Sequence, residues 1–141
     1  MKIDSIQNGI VIDHITAGKG MMLYDLLGLD ELDCSVAIIK NVVSRKMGKK
    51  DIIKIDADIP VNIDVIGYID PGATVNIIKD GVRAAKMNLE LPATLTNVIR
   101  CKNPRCITTT EQELDHIFKL TDKENKVYRC VYCETKSERS N

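Results

Sequence analysis

Residues 101–106 and 130–133 read Cys101-Lys102-Asn103-Pro104-Arg105-Cys106 and Cys130-Val131-Tyr132-Cys133, two short cysteine pairs separated by 23 residues. Four thiolates brought together as two such pairs can close a tetrahedron around one zinc ion. In the first pair, Asn103 and Pro104 supply the bend that turns both sulfurs inward. In the second, two intervening residues are the shortest separation that lets both thiolates grip one ion. Four protein ligands leave no position for water, so Cys101, Cys106, Cys130 and Cys133 point to a structural metal, not a catalytic one. Two disulfides are the alternative, and they require an oxidising compartment. The segment Met1-Lys2-Ile3-Asp4 has no apolar run of signal-peptide type, so zinc in a reducing cytoplasm is the expectation. The fifth cysteine, Cys34, precedes an apolar run and reads as a small buried hydrophobe.

The 141 residues suffice for one domain or two small ones. From Ala93 onward large apolar side chains are sparse, and a segment that short rarely folds on its core alone. Metal binding would then act as folding energy. Twenty basic residues balance twenty acidic ones. Up to Pro92 there are 11 basic against 13 acidic residues, a charge of −2; beyond it, 9 against 7, or +2. Neither part carries the field of a nucleic-acid binder, and no apolar run is long enough to span a membrane.

Working back toward the N-terminus, residues 9–15 (GIVIDHI), 35–43 (SVAIIKNVV) and 51–55 (DIIKI) read as strands, the first ending at Asp13 and His14. Met21, Met22, Leu23, Leu26 and Leu27 have the spacing of an amphipathic helix, with Gly28 at its end. Residues 44–50 (SRKMGKK) form a basic hairpin loop. Residues 60–69 (PVNIDVIGYI) fit either a strand or a helix. Residues 73–78 and 82–87 are two strands joined by the tight turn Lys79-Asp80-Gly81. Leu91-Pro92 breaks the pattern and sets a domain boundary, with domains at 1–92 and 93–141. The fold class expected is α+β, an antiparallel sheet with helices on one face, followed by a small all-β zinc-ribbon-like domain.

Catalytic signatures are missing. Only His14 and His116 are available as histidines, and neither a nucleophile elbow nor a phosphate-cradling loop accompanies them. His116 reads as a half-exposed surface residue. Asp13, His14, Lys54, Asn76 and Lys86 could converge at one edge of the sheet, with cations for phosphates and a carboxylate for ribose hydroxyls. Each lysine taken singly is more simply a solvated strand residue.

Residues 9–15, 48–55 (GKKDIIKI) and 73–78 (ATVNII), together with Leu91-Pro92 and the two cysteine loops with Asn103 and Tyr132, occur in the order found in the regulatory chain of aspartate carbamoyltransferase, which the sequence resembles over nearly its whole length. The resemblance implies a ferredoxin-like allosteric domain that binds effectors of the ATP, CTP and UTP type. It also implies a zinc domain that docks on the catalytic chain, and pairing of regulatory chains into dimers, with no nucleic acid and no membrane involved. It places effector contacts at Ile3, Ser5, Ile6, Asp13, His14, Lys54, Asn76, Ile78 and Lys86: residues 3–6 toward the base, Asp13 on the ribose, Lys54 on ribose or base, His14 and Lys86 on phosphates. The chain departs from the family pattern at Gly81, where a tyrosine is usual, at Arg83, where a small apolar residue is usual, and at Arg105, which stands for an asparagine. The first two bear on base selectivity and the third on the partner interface. Rival readings are a zinc ribbon that binds nucleic acid or a polymerase through Arg100, Lys102, Arg105 and Arg129, and a zinc hydrolase, which four closed thiolates disfavour.

Overall fold

The computed structural model describes residues 6–137, and the chain divides into two compact units at residues 90 and 91. The first unit runs β1 (Gly9–Thr16), α1 (Gly20–Leu26), β2 (Val36–Ser44), β3 (Gly48–Ile55), α2 (Ile63–Ile69), β4 (Thr74–Lys79) and β5 (Val82–Asn88). Its sheet is antiparallel throughout, in the order β2-β3-β1-β4-β5. The first four strands and two helices have the β-α-β-β-α-β connectivity of a ferredoxin-like fold, with β5 added at the edge.

Alternation along each strand separates two faces. Ile10, Ile12 and Ile15 of β1, Ile53 and Ile55 of β3 and Val75 of β4 are buried in one cluster with Leu23 of α1 and Ile66 of α2. Both helices therefore cover one face, and the other stays open. Cys34 is half-buried against the same cluster.

The first strand does not end at Asp13 and His14. His14 adopts a positive φ of 56°, forming a bulge that lets Ile15 return to the core, and the strand continues to Thr16. A matching bulge in β2 carries Asn41 at φ 59°. The buried carboxylate of Asp51 on β3 ties the turn after β1 to the β2 bulge: Oδ2 accepts from the amides of Gly18 and Gly20, each at 3.0 Å, and Oδ1 from the amide of Asn41, also at 3.0 Å. A Cβ on Gly20 would lie 2.9 Å from that Oδ2, which explains why glycine is needed there.

One further expectation changes, one open reading is decided and one turn is kept. The third strand starts at Gly48 and not at Asp51, which shortens the basic loop and puts Lys50 in the sheet. Residues 63–69 resolve as a helix because the Asn62 side chain accepts from the amides of Asp64 at 3.1 Å and Val65 at 3.3 Å, a side-chain cap that a strand could not use. The β4-β5 turn keeps its Asp80-Gly81 pair, both at positive φ, and the Gly81 amide donates to the Gln7 carbonyl at 2.9 Å.

The second unit is smaller. Strands β6 (Thr94–Thr96), β7 (Ile117–Asp122) and β8 (Val127–Cys130) form an antiparallel sheet in that order, with the short helix α3 (Ile107–Thr110) after the first cysteine pair. Leu95, Phe118 and Tyr128 fill its core, and the Tyr128 hydroxyl donates to the Pro92 carbonyl at 2.6 Å.

Candidate functional site

In the second unit the four cysteine sulfurs lie within 4.8 Å of one another. Each pair is split across the cluster: Cys101 Sγ is 3.6 Å from Cys133 Sγ, and Cys106 Sγ is 3.7 Å from Cys130 Sγ. A tetrahedron with metal–sulfur bonds of about 2.3 Å has edges of about 3.8 Å, so the sulfurs stand where a zinc ion needs them and too far apart for disulfides. Three of the four cysteines are buried and Cys133 is half-buried.

The surrounding groups explain the geometry. The Cys106 amide donates to the Asn103 carbonyl at 3.0 Å, the Arg105 amide to Asn103 Oδ1 at 3.0 Å, and the Thr109 hydroxyl to the Asn103 carbonyl at 2.6 Å, so Asn103 shapes the first loop from within. Arg105 is left exposed. The Thr108 hydroxyl lies 3.1 Å from Cys106 Sγ, and that of Thr135 3.2 Å from Cys133 Sγ. Burial pushes the Cys101 thiol up to about 12 and raises Cys130 as well. Conversely, the Thr108 hydroxyl holds Cys106 below its usual value, and the Thr135 hydroxyl brings Cys133 down to about 6. A coordinated divalent ion ionises such thiols outright, and the two hydroxyls are placed to steady the sulfur charge that results.

His116 is half-buried, and its ring is engaged: Nδ1 accepts from the Cys101 amide at 3.0 Å. Asn97 fixes the same corner, its Oδ1 accepting from the His116 amide at 2.9 Å and its Nδ2 donating to Asp115 Oδ1 at 2.9 Å. Sequence reasoning assigned His116 to the surface because nothing in its neighbours' spacing announces a contact across 15 residues.

On the first unit's open face, the register aligns Ala37, Lys54, Val11, Asn76 and Lys86 in a single row across five strands. Asn76 Nδ2 donates to the Val11 carbonyl at 3.2 Å. One row along, Asp13 faces Thr74, whose hydroxyl is 3.2 Å from His14 Nδ1, and Lys50 Nζ lies 2.9 Å from Asp13 Oδ1. Burial pushes the Asp13 carboxyl up, but Lys50 and the His14 amide outweigh it and hold it below the usual value. In the opposite direction, Ile78 pairs with Gly9, near the half-buried Ile6. Ile3 and Ser5 lie outside the described residues. Lys50 was missed as part of this face; the alternation Lys50, Ile52, Lys54 on β3 is the signal that reveals it.

A ferredoxin-like unit with an open polar face, followed by a four-thiolate structural metal unit, defines a two-part metal-stabilised α+β protein. Residues 1–90 match the family described as aspartate carbamoyltransferase regulatory chain, allosteric domain, and residues 93–141 match aspartate carbamoyltransferase regulatory chain, metal binding domain. A protein named aspartate carbamoyltransferase regulatory chain from Clostridium botulinum (strain Hall) is 51% identical over 134 residues, covering 95% of this chain and 92% of its own length. A namesake from Clostridium tetani is 51% identical over 135 residues, with coverage of 95% and 94%, and one from Bifidobacterium longum is 39% identical over 138, with 98% and 99%. The chain belongs to the aspartate carbamoyltransferase regulatory chain family.

Proposed function

We propose that this chain is a non-catalytic regulatory subunit of aspartate carbamoyltransferase in pyrimidine biosynthesis, which binds nucleoside triphosphates such as ATP, CTP or UTP on the open face of its first sheet and docks on the catalytic chain through its zinc unit. The observation that carries the reading is the polarity of that face. Ile6 and Ile78 make one end apolar, Lys54, Asn76 and Lys86 share the central row, and Asp13, His14 and Lys50 make the far end polar. A nucleotide offers matching partners, a flat base for the apolar end and a hydroxyl-bearing sugar with anionic phosphates for the two polar rows. Lys86 and His14 meet the phosphates, Asp13 and Lys54 the ribose, and residues 3–6 the base. Two such subunits pair, and the work is done in the cytoplasm, where thiols stay reduced for a metal.

Regulation then follows from linkage. An effector that binds two states of the assembly with different affinity shifts their populations, and a coupling of about 1–3 kcal/mol changes the catalytic chain's affinity for substrate several-fold. The test is co-expression with the catalytic chain, followed by activity against aspartate concentration with each nucleotide. Lys86→Ala removes one charge-assisted bond, worth about 1.5–3 kcal/mol, and weakens nucleotide binding by tenfold or more while assembly persists. Equal effector affinity in that variant removes Lys86 from the site.

A further inference from the structure

In the second unit the register places Thr94, Lys119 and Arg129 side by side across β6, β7 and β8, and a further bridge pairs Arg129 with Lys136. Three cations therefore stand in one row, all exposed, on the face opposite buried Leu95, Phe118 and Tyr128. Like charges directly opposite one another on neighbouring strands weaken a sheet. Among the described residues no carboxylate lies within ion-pair distance of any of the three; Arg129 Nη1 donates instead to the Glu134 carbonyl at 3.1 Å. Asp122 feels the row at longer range: its carboxyl is held low first by the Asn125 side chain and more weakly by Lys136. A groove of about 830 Å³ runs beside the row, lined by Lys119, Thr121, Arg129, Val131 and Glu134 among others.

We infer that this row is a docking surface for an acidic segment of the polypeptide with which the chain assembles. The inference rests on the docking reading above and names the chemistry of the partner's facing surface. Charge complementarity selects carboxylates, because uncompensated cations in register gain most from anions at matching spacing, about 4.8 Å from strand to strand. A protein suits the row better than a nucleic acid. The two aromatic rings of this sheet are buried on its far face and cannot stack on bases. Half-exposed Val131 lines the groove beside Lys119 and Arg129 and provides the apolar contact typical of a protein interface.

One substitution separates docking from folding. Lys119→Glu sets a carboxylate opposite Arg129, so a repulsive cross-strand pair becomes an attractive one. The zinc-loaded free chain should melt at a higher temperature, while its association rate with the catalytic chain at low salt falls about tenfold and loses much of its salt dependence. Lys119→Gln with Arg129→Gln, which removes charge without reversing it, should fall between the two. Stopped-flow or surface-plasmon measurements over a range of sodium chloride concentrations provide both readouts. Wild-type assembly with an unchanged rate and salt slope in Lys119→Glu overturns the inference while leaving the docking reading intact. So does a single-stranded RNA probe that binds the wild type and is lost in the variant while assembly stays the same. Failure of the wild type to assemble at all overturns the docking reading itself.

Discussion

Removing the Asp51 carboxylate is a severe single change in the first unit. Asp51 is fully buried, and its two oxygens accept from three backbone amides that no strand or helix ladder serves: those of Gly18, Gly20 and Asn41. Asp51→Ala leaves all three without that acceptor. Gly20 is buried and bears the full penalty of an unsatisfied donor, about 2 kcal/mol, whereas Gly18 and Asn41 are exposed and can turn to water, for about 1 kcal/mol each. The sum, about 4 kcal/mol, is a large part of the 5–15 kcal/mol that typically holds a domain together. Asp51→Asn keeps one acceptor oxygen. Turned toward Gly18 and Gly20, it loses the Asn41 bond and the charge, for about 1.5–2 kcal/mol. The assay is urea titration with zinc saturating, read by hydrogen exchange of the Ile12 and Ile53 amides so that only the first unit is reported. With a urea slope of about 1–2 kcal/mol per molar, alanine should lower the midpoint by about 2 M or more and asparagine by roughly half as much. An alanine variant within about 0.5 kcal/mol of wild type would refute the idea that this carboxylate holds the turn after β1 and the β2 bulge.

Other consequences are as direct. Stripping the metal with a chelator or a mercurial removes about 10–16 kcal/mol of binding energy from a unit whose apolar core is small; that unit should unfold and release the catalytic chain while Ile12 and Ile53 stay protected, and an apo-protein that still assembles refutes this. Because the native Asp13 carboxyl is depressed, its stabilising contribution is complete above the ordinary aspartate value of about 3.9 and is lost as pH falls through the lower native value. Lys50→Met should raise the Asp13 titration midpoint seen by carboxyl NMR and move the acid limb of stability upward; an unmoved midpoint means that the ion pair is not formed in solution. His116→Ala deprives the Cys101 amide of its acceptor and should weaken zinc retention about tenfold in competition with a chromophoric chelator. Equal zinc affinity would show that the ring does not support the first loop.

The metal centre was legible in the sequence almost completely, since ligand type and separation are local properties, and so were Cys34 and the Asp80-Gly81 turn. The groups around the metal were not. Thr108 and Thr135, each two residues from a ligand, meet the sulfurs through loop geometry that threonine alone does not announce, and His116, 15 residues from one, meets its loop only after the chain has folded back. The same holds for the first unit. Residues 60–69 were ambiguous because short apolar runs satisfy both periodicities, and the Asn62 cap, although visible, becomes decisive only once Val65 and Ile66 have a sheet to cover.

By itself, then, the order of residues determined most of the extended segments of the first unit, the turn between its last two strands, and which four sulfurs share an ion, because each depends on neighbours within a few positions. Tertiary structure decided the rest: that His14 and Asn41 sit at bulges, that the buried Asp51 bonds the Asn41 bulge and the turn after β1, that Lys50 joins Asp13, and that Lys54, Asn76 and Lys86 fall on one row. A strand's faces are set by a period of two, so one bulged residue on β1 or β2 exchanges inside for outside, and only pairing with β3 and β4 shows where that exchange occurs.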